Sequence, residues 1–346
     1  MEQMNKQSSI LVTGATGLVG SYLLHYLVSE GYENLTALKR ENSDTSLINS
    51  ILDKIKCCEG DVLYIDALED AMEGVEYVFH CAAMVSYDSR DRNALLQNNV
   101  EGTANVVNLC LEKNIKKLVH VSSIAAIGKA KNQVLVDEKS RWNNDGNLTQ
   151  YSVSKYLSEQ EVWRGAAEGL AVAIVNPPII LGSGHWNRSS TALFKQVWDG
   201  LKFYPVGSTS FVDVRDLARF MTLLMESEVV EERFIVSGGN LSFQTLFSLM
   251  AKNMGKNIPT TKVTPFLRGL AWRIEWLRSR FTGKKVLITQ ETAMVSAQNY
   301  QFDATKSERF FSFQYTPLEK TIEEVCKQLV FAAKEDFKPM VLPFSK

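Results

Sequence analysis

The chain has 346 residues, 45% of them hydrophobic and 22% charged, with a formal net charge of −1. This is ordinary composition for a soluble globular protein of one large or two ordinary domains. A charge so close to zero gives no field that draws nucleic acid or an anionic membrane, and no uninterrupted apolar run reaches the ~18 residues that span a bilayer. Met1 to Ser9 is polar, without the apolar core of a signal peptide, so a cytoplasmic protein is expected. The five cysteines, Cys57, Cys58, Cys81, Cys110 and Cys326, are odd in number and form no Cys-x-x-Cys. Such usage fits a reducing compartment. Cys81 and Cys110 sit in apolar stretches and read as core residues. His25, His80, His120 and His185 lack metal-ligand spacing, so no metal site is expected.

Ile10-Leu11-Val12 is a short strand pattern, followed at once by Thr13-Gly14-Ala15-Thr16-Gly17-Leu18-Val19-Gly20. A helical pattern then runs through Val19, Leu23, Leu24, Leu27 and Val28 and closes at Gly31. Strand, glycine-rich turn and helix together fit a dinucleotide fingerprint with Gly-x-x-Gly-x-x-Gly spacing. The glycines let backbone approach a pyrophosphate, and the helix N-terminus supplies free N–H groups and positive dipole. Thr13, Gly14, Thr16, Gly17, Leu18, Val19 and Gly20 are therefore expected to contact a cofactor. Leu35 to Leu38 reads as a second strand. At its end, where an acid would hold a ribose 2′-hydroxyl, stand Lys39 and Arg40. Two cations there suit a 2′-phosphate, which favours NADP(H). Glu41 follows directly and keeps NAD(H) open.

A third strand is expected before Gly60-Asp61-Val62, with Asp61 and Val62 toward the adenine. Tyr77 to Ala83 reads as a fourth, buried strand, with Cys81, Ala82 and Ala83 small enough to lie against a cofactor. His80 reads as a hydrogen-bonded core residue. A long helix is expected from Asn98-Asn99 onward, through Val106 to Cys110. Leu118 to Val121 reads as a fifth strand ending in Ser122-Ser123. The alternation is that of an α/β fold, a doubly wound parallel sheet whose ligand lies beyond the carboxyl ends of the strands. Ala171 to Val175 is a sixth strand, closed by Asn176-Pro177-Pro178, because proline cannot continue the ladder.

Tyr151-Ser152-Val153-Ser154-Lys155 places a phenol and an ammonium four apart, on one face of a helix. An ammonium near a phenol favours the phenolate and lowers its pKa, which makes the pair a candidate proton donor and acceptor. Farther on, Phe211 to Asp216 resumes strand character and enters a helix over Leu217 to Met225. Asp213, Arg215 and Asp216 read as a loop tie and helix cap. Phe234 to Gly239 is another short strand. The C-terminal third is helix-rich. There Leu267, Leu270, Ile274, Leu277 and Phe281 form one apolar stripe, flanked by Arg268, Arg273, Arg278, Arg280, Trp272 and Trp276. That helix over 266–285 is expected to pack on its own domain or lid the substrate cleft. Peripheral membrane contact is the alternative.

Taken together these residues resemble the extended short-chain dehydrogenase/reductase family, also called the NAD-dependent epimerase/dehydratase family. The carrying motifs are Thr13 to Gly20, Asp61-Val62, His80 to Ala83, Asn99 to Thr103, Val121 to Ser123, Tyr151 to Lys155 and Asp213 to Asp216. Arg40, Trp142 and the Trp/Arg-rich segment at 266–285 look most like the dihydroflavonol-reductase and 3β-hydroxysteroid-dehydrogenase-like branch. Ile124-Ala125-Ala126 stands where the family's dehydratases carry an Asp-Glu pair. Ala126-Ile127-Gly128 lacks the tyrosine usual in sugar-nucleotide epimerases.

The resemblance implies a Rossmann domain over 1–180, with 208–238 returning to it. It further implies a smaller, mostly helical substrate-binding region over 181–207 and 239–335, a tail over 336–346, and a homodimer. It implies hydride transfer between the nicotinamide and a small-molecule carbonyl or secondary alcohol. In that scheme Tyr151 is the general acid/base, and Lys155 tunes it and holds the nicotinamide ribose. Ser123, five residues before Gly128, donates to the substrate oxygen. Asn99, Val121, Ser122 and Pro177 border the cofactor. A nucleotide-sugar epimerase with tightly bound NAD and a non-catalytic cofactor-binding regulator are the competing readings.

Overall fold

A computed structural model describes residues 3–129, 135–142, 148–188, 190–264, 269, 272–273, 289–335 and 340–344. Seven parallel strands form the main sheet. They are β1 (Ile10–Thr13), β2 (Leu35–Lys39), β3 (Lys56–Glu59), β4 (Tyr77–His80), β5 (Lys117–Val121), β6 (Val172–Asn176) and Glu232–Ile235. Two strands of a smaller sheet come between the last two in sequence, β7 (Ile179–Leu181) and β8 (Ser208–Asp213), so Glu232–Ile235 is β9 and Gly239–Ser242 is β10. The main sheet runs β9-β6-β5-β4-β1-β2-β3, and the smaller sheet runs β10-β8-β7. The chain moves outward from β1 to β3, then returns to lay β4 on the other side of β1. That reversal opens a crevice beyond the strand ends, between β1 and β4.

Successive residues of a strand face opposite sides of a sheet, and β1 shows it. Ile10 and Val12 enter one core, while Leu11 enters the other. On the first side, helices α1 (Leu18–Ser29) and Val214–Glu226 pack together, and Leu23, Leu24 and Leu27 bury beside Leu217, Phe220 and Leu224. The second core is built on α2 (Gly102–Glu112) and α3 (Gln150–Ala167) through Val106, Val107, Cys110 and Val162. Val214–Glu226 is α4, and α5 (Phe243–Met254) packs against α6 (Leu318–Lys334). The chain leaves the main sheet at Pro177-Pro178 and starts β7 directly after them, as prolines without an N–H require.

Two boundaries differ from the sequence reading. The helical path into α2 begins at Arg92 and passes through a π-helical turn at Gln97–Glu101. Helix α4 starts three residues early, at Val214, because the Asp213 carboxylate caps it by accepting from the Arg215 N–H at 2.8 Å. Asp213 and Arg215 are the structural tie they were read to be. The fully buried Asp213 also holds the Arg215 guanidinium at 2.6 Å and accepts from Thr321 Oγ1 at 2.8 Å. Arg215 reaches Glu324 at 2.6 Å. Asp216 accepts from the Thr316 N–H at 2.6 Å. These bonds fasten α6 to the start of α4.

Residues 340–344 lie against α1. Tyr22 Oη donates to the Ser183 carbonyl and accepts from the Ser183 and Leu342 N–H groups, all within 3.1 Å. Phe344 packs on Tyr26 with ring centroids 4.9 Å apart. Apart from Gly269, Trp272 and Arg273, the amphipathic helix expected over 266–285 lies outside the described residues. Among the described residues, no helix is long and apolar enough to cross a membrane.

Candidate active site

The glycine turn sits at the mouth of the crevice. Gly14 takes a left-handed φ of +66°, and a Cβ there would lie 2.7 Å from the Ala82 nitrogen after β4. At Gly20 a Cβ would meet the Gly14 carbonyl at 2.4 Å. The turn therefore closes only with glycine at these two points. Helix α1 starts just past Gly17 with no side-chain cap and no acid in its first turn. Its first N–H groups and positive dipole end are thus left for an anion. This cradle fits a dinucleotide pyrophosphate. Thr13 is buried behind it, sharing its hydroxyl with His80 Nδ1 at 2.7 Å and accepting from the Ala82 N–H at 3.2 Å. Thr16 stands within the turn. Leu18 reaches toward Gly182 and Gly184, and Val19 packs into the core beside β1. Cys81 and Ala82 line the β4 side of the crevice, and Ala83 is exposed.

The two cations after β2 part ways. Lys39 is tied to Glu59 at 2.9 Å. Arg40 is 72% exposed and only 3.9 Å from Asp61. Arg40 is therefore the freer of the two cations. Asp61 caps the next turn through the Leu63 N–H. The Val62 side chain is buried among core residues rather than turned to the crevice, as its position against Gly102 requires.

Ser123, Tyr151 and Lys155 come together beyond β5. The Ser123 side chain bonds the Tyr151 hydroxyl, while its oxygen also accepts from the Ala125 N–H at 3.1 Å. Burial raises the Tyr151 pKa, and the Ser123 hydroxyl lowers it in part. The expected lowering by Lys155 is not what the structure shows. The Lys155 ammonium is 2% exposed and donates to the Val121 carbonyl at 2.9 Å. Burial, partly offset by Glu159 and Cys81, pushes it down to about 8. Tyr151 is thus held as a neutral phenol, a proton donor at neutral pH.

Asn99 sits on the π-helical turn and holds Met84 through both its N–H and its carbonyl. Its amide also donates to Ser154 Oγ at 2.9 Å, which links the turn to the Tyr151 helix. Extra turns of this kind often mark functional sites. Pro177 is buried and its carbonyl accepts from the Ile124 N–H, next to Ser123. The Ser122 hydroxyl donates to the buried Glu159 at 2.6 Å.

Glu159 itself was missed in the sequence. It also accepts from Asn176 Nδ2 at 2.8 Å and pairs with Arg233 at 2.9 Å. Asn176 Nδ2 donates in addition to the Ser123 carbonyl at 3.0 Å. One buried carboxylate so fixes both serines. The available signal was spacing alone, since Glu159 lies one helical turn beyond Lys155. Tyr87 was also missed. Its ring lies 5.6 Å from the Tyr151 ring.

His80 bridges Thr13 and Thr103 as a core residue, as read. Burial, then Lys155, lowers it to about 3, and the same causes lower His120, 5.1 Å away ring to ring. Both folded-state values lie below the ordinary ~6.5 of histidine. The unfolded chain therefore binds protons first as pH falls. Stability is full above about 6.5 and is lost on the way down toward 3. Each such histidine costs about 1.4 kcal/mol per pH unit in that window. The urea midpoint should be lower at pH 5 than at pH 7, and an unchanged midpoint contradicts two buried neutral imidazoles.

The chain is similar to known proteins over most of its length. The chain is 29% identical to sterol demethylase protein B of Methylococcus capsulatus over 282 residues, 78% of this chain and 82% of that one. It is 26% identical to cinnamoyl-CoA reductase 1 of Petunia hybrida over 257 residues, 70% and 76% of the two chains. The crystal structure of gox2253 superposes with a TM-score of 0.80 at 28% identity, covering 96% of this chain and 100% of that one. Residues 10–237, which hold the glycine turn, the two serines and the Tyr-Lys pair, match the family described as NAD dependent epimerase/dehydratase, and the chain belongs to that family.

Proposed function

We propose that the protein is an NADP(H)-dependent oxidoreductase acting on the carbonyl or secondary-alcohol carbon of a medium-sized, largely apolar substrate. The contact between the Ser123 and Tyr151 hydroxyls, at the rim that also carries the glycine turn, supports this reading most. Named reductases among the relatives agree with it. The cofactor supplies the hydride when bound. The chain does the rest. The glycine turn and the α1 N-terminus hold the pyrophosphate. Ser123 donates to the substrate oxygen and steadies the charge that develops there. Tyr151, neutral because it is buried, gives that oxygen its proton in the reductive direction and recovers it in the oxidative one. Lys155, one helical turn on and bonded to the Val121 carbonyl, is the cation that would hold the nicotinamide ribose.

Two experiments test this. Aldehydes, ketones and secondary alcohols are screened by NADPH absorbance, and no turnover with any of them would count against the oxidoreductase reading. For the cofactor, Arg40→Ala should weaken NADPH binding by about tenfold or more, the scale of a charge-assisted hydrogen bond. NADH binding should be left near its starting value. Equal loss for both cofactors would refute the 2′-phosphate role of Arg40.

A further inference from the structure

Beside the Tyr151 helix lies a cavity of about 80 Å³, lined in part by direct neighbours of Ser123 and Tyr151. Ser152 follows Tyr151 directly. Ala125 bonds Ser123, and Tyr87 rests on the Tyr151 ring. The remaining surface is largely apolar and aromatic, with Ile127, Trp142, Val295 and Tyr300 prominent. Trp142 is fixed by stacking on Tyr156 at 4.2 Å, nearly parallel.

Lys129 breaks this apolar lining. Its ammonium stands 4.8 Å from the Tyr300 ring centre and 5.3 Å from that of Phe302. Lys129 is half-buried, and burial pushes its ammonium down to about 8. Among the described residues no carboxylate pairs with it. Two ring faces offset only part of the desolvation of an ammonium, and a lysine is seldom buried without a partner. A purely structural residue here would be better served by methionine, of equal reach and no charge. The chain is not short of paired lysines. Lys39, Lys113, Lys116 and Lys306 all meet carboxylates.

We infer that Lys129 binds an anionic group, a carboxylate, on the apolar substrate whose carbonyl or alcohol lies at Ser123 and Tyr151. The substrate class is thus an apolar oxo or hydroxy acid. The cavity walls take the apolar body, and the compact ammonium takes the single charge. This deepens the oxidoreductase reading and rests on it for the position of the reacting carbon.

Binding of a charged and an uncharged probe tests it apart from turnover. The full chain, supplied with NADP⁺, is titrated by calorimetry with 3-phenylpropanoate and with 3-phenylpropanamide. The carboxylate should bind about tenfold or more tightly than the amide, as a charge-assisted hydrogen bond requires. Lys129→Met should remove that preference while leaving amide binding within about twofold, and Lys129→Arg should keep most of it. Equal binding of the two probes to the wild-type chain, absence of binding by both, or a preference that survives Lys129→Met would each overturn the inference. A fall in affinity for both probes alike in Lys129→Met would show a packing role instead. If the preference behaves as expected but no carbonyl compound is turned over, the oxidoreductase reading fails and the anion site stands.

Discussion

Tyr151→Phe should cut turnover by about 10²-fold or more, the ordinary scale of general acid/base work. The change removes one oxygen and leaves the ring where it is, against Tyr87 at 5.6 Å. Packing is therefore kept, and so is the glycine turn, which lies on another element. NADPH affinity should stay near the wild-type value while kcat falls. That separation matters, because a variant that merely unfolds loses both. Wild-type-like turnover in Tyr151→Phe would sink the assignment. Ser123→Ala is the milder companion. It removes the donor to the substrate oxygen but leaves the phenol as acid, and it frees the Ala125 N–H that Ser123 now satisfies.

The largest stability effect is expected far from the chemistry. Arg215→Met should lower the unfolding free energy by about 3–5 kcal/mol, the scale for removing one partner of a buried ion pair. The reason is asymmetry. Asp213 is fully buried, and its carboxylate loses the guanidinium at 2.6 Å while keeping the Thr321 hydroxyl and the Arg215 N–H. Hydrogen bonds alone offset a buried charge incompletely. Urea unfolding of the single variant and of Arg215→Met with Asp213→Asn checks this. The second change neutralises the stranded carboxylate and should return part of the loss. A single variant within about 1 kcal/mol of wild type would show that the pair is as weak as an exposed one.

The sheet and its cofactor rim were legible because their causes are local. β1, the glycine turn and α1 announce themselves within about 20 residues, through hydrophobic period and glycine spacing. The same holds for Tyr151 and Lys155, one helical turn apart, and for the prolines that end β6. What failed to show was set by contacts distant in sequence. Nothing local says that Lys39 meets Glu59 or that Ser122 faces Glu159 while Ser123 faces Tyr151. The sign of the Tyr151 shift was misjudged for the same reason. Spacing puts Lys155 on the same helix face, but burial, which raises Tyr151, is a property of the assembled core. Lys129 carried no signal at all, since its aromatic neighbours come from the segment at 300–302.

The Tyr22 hydroxyl has a bearing on how the chain folds. It joins residues 22, 183 and 342, and its bond to Leu342 spans 320 positions. Contacts of such separation raise contact order and slow folding, because chain entropy is lost before they form. During synthesis the helix that opens the nucleotide cradle must wait, its outer face uncovered, until residue 342 has emerged from the ribosome. Helix α1 is therefore completed only once the segment at 340–344 has been made, and until then the Tyr22 and Tyr26 rings lack their contact with Phe344.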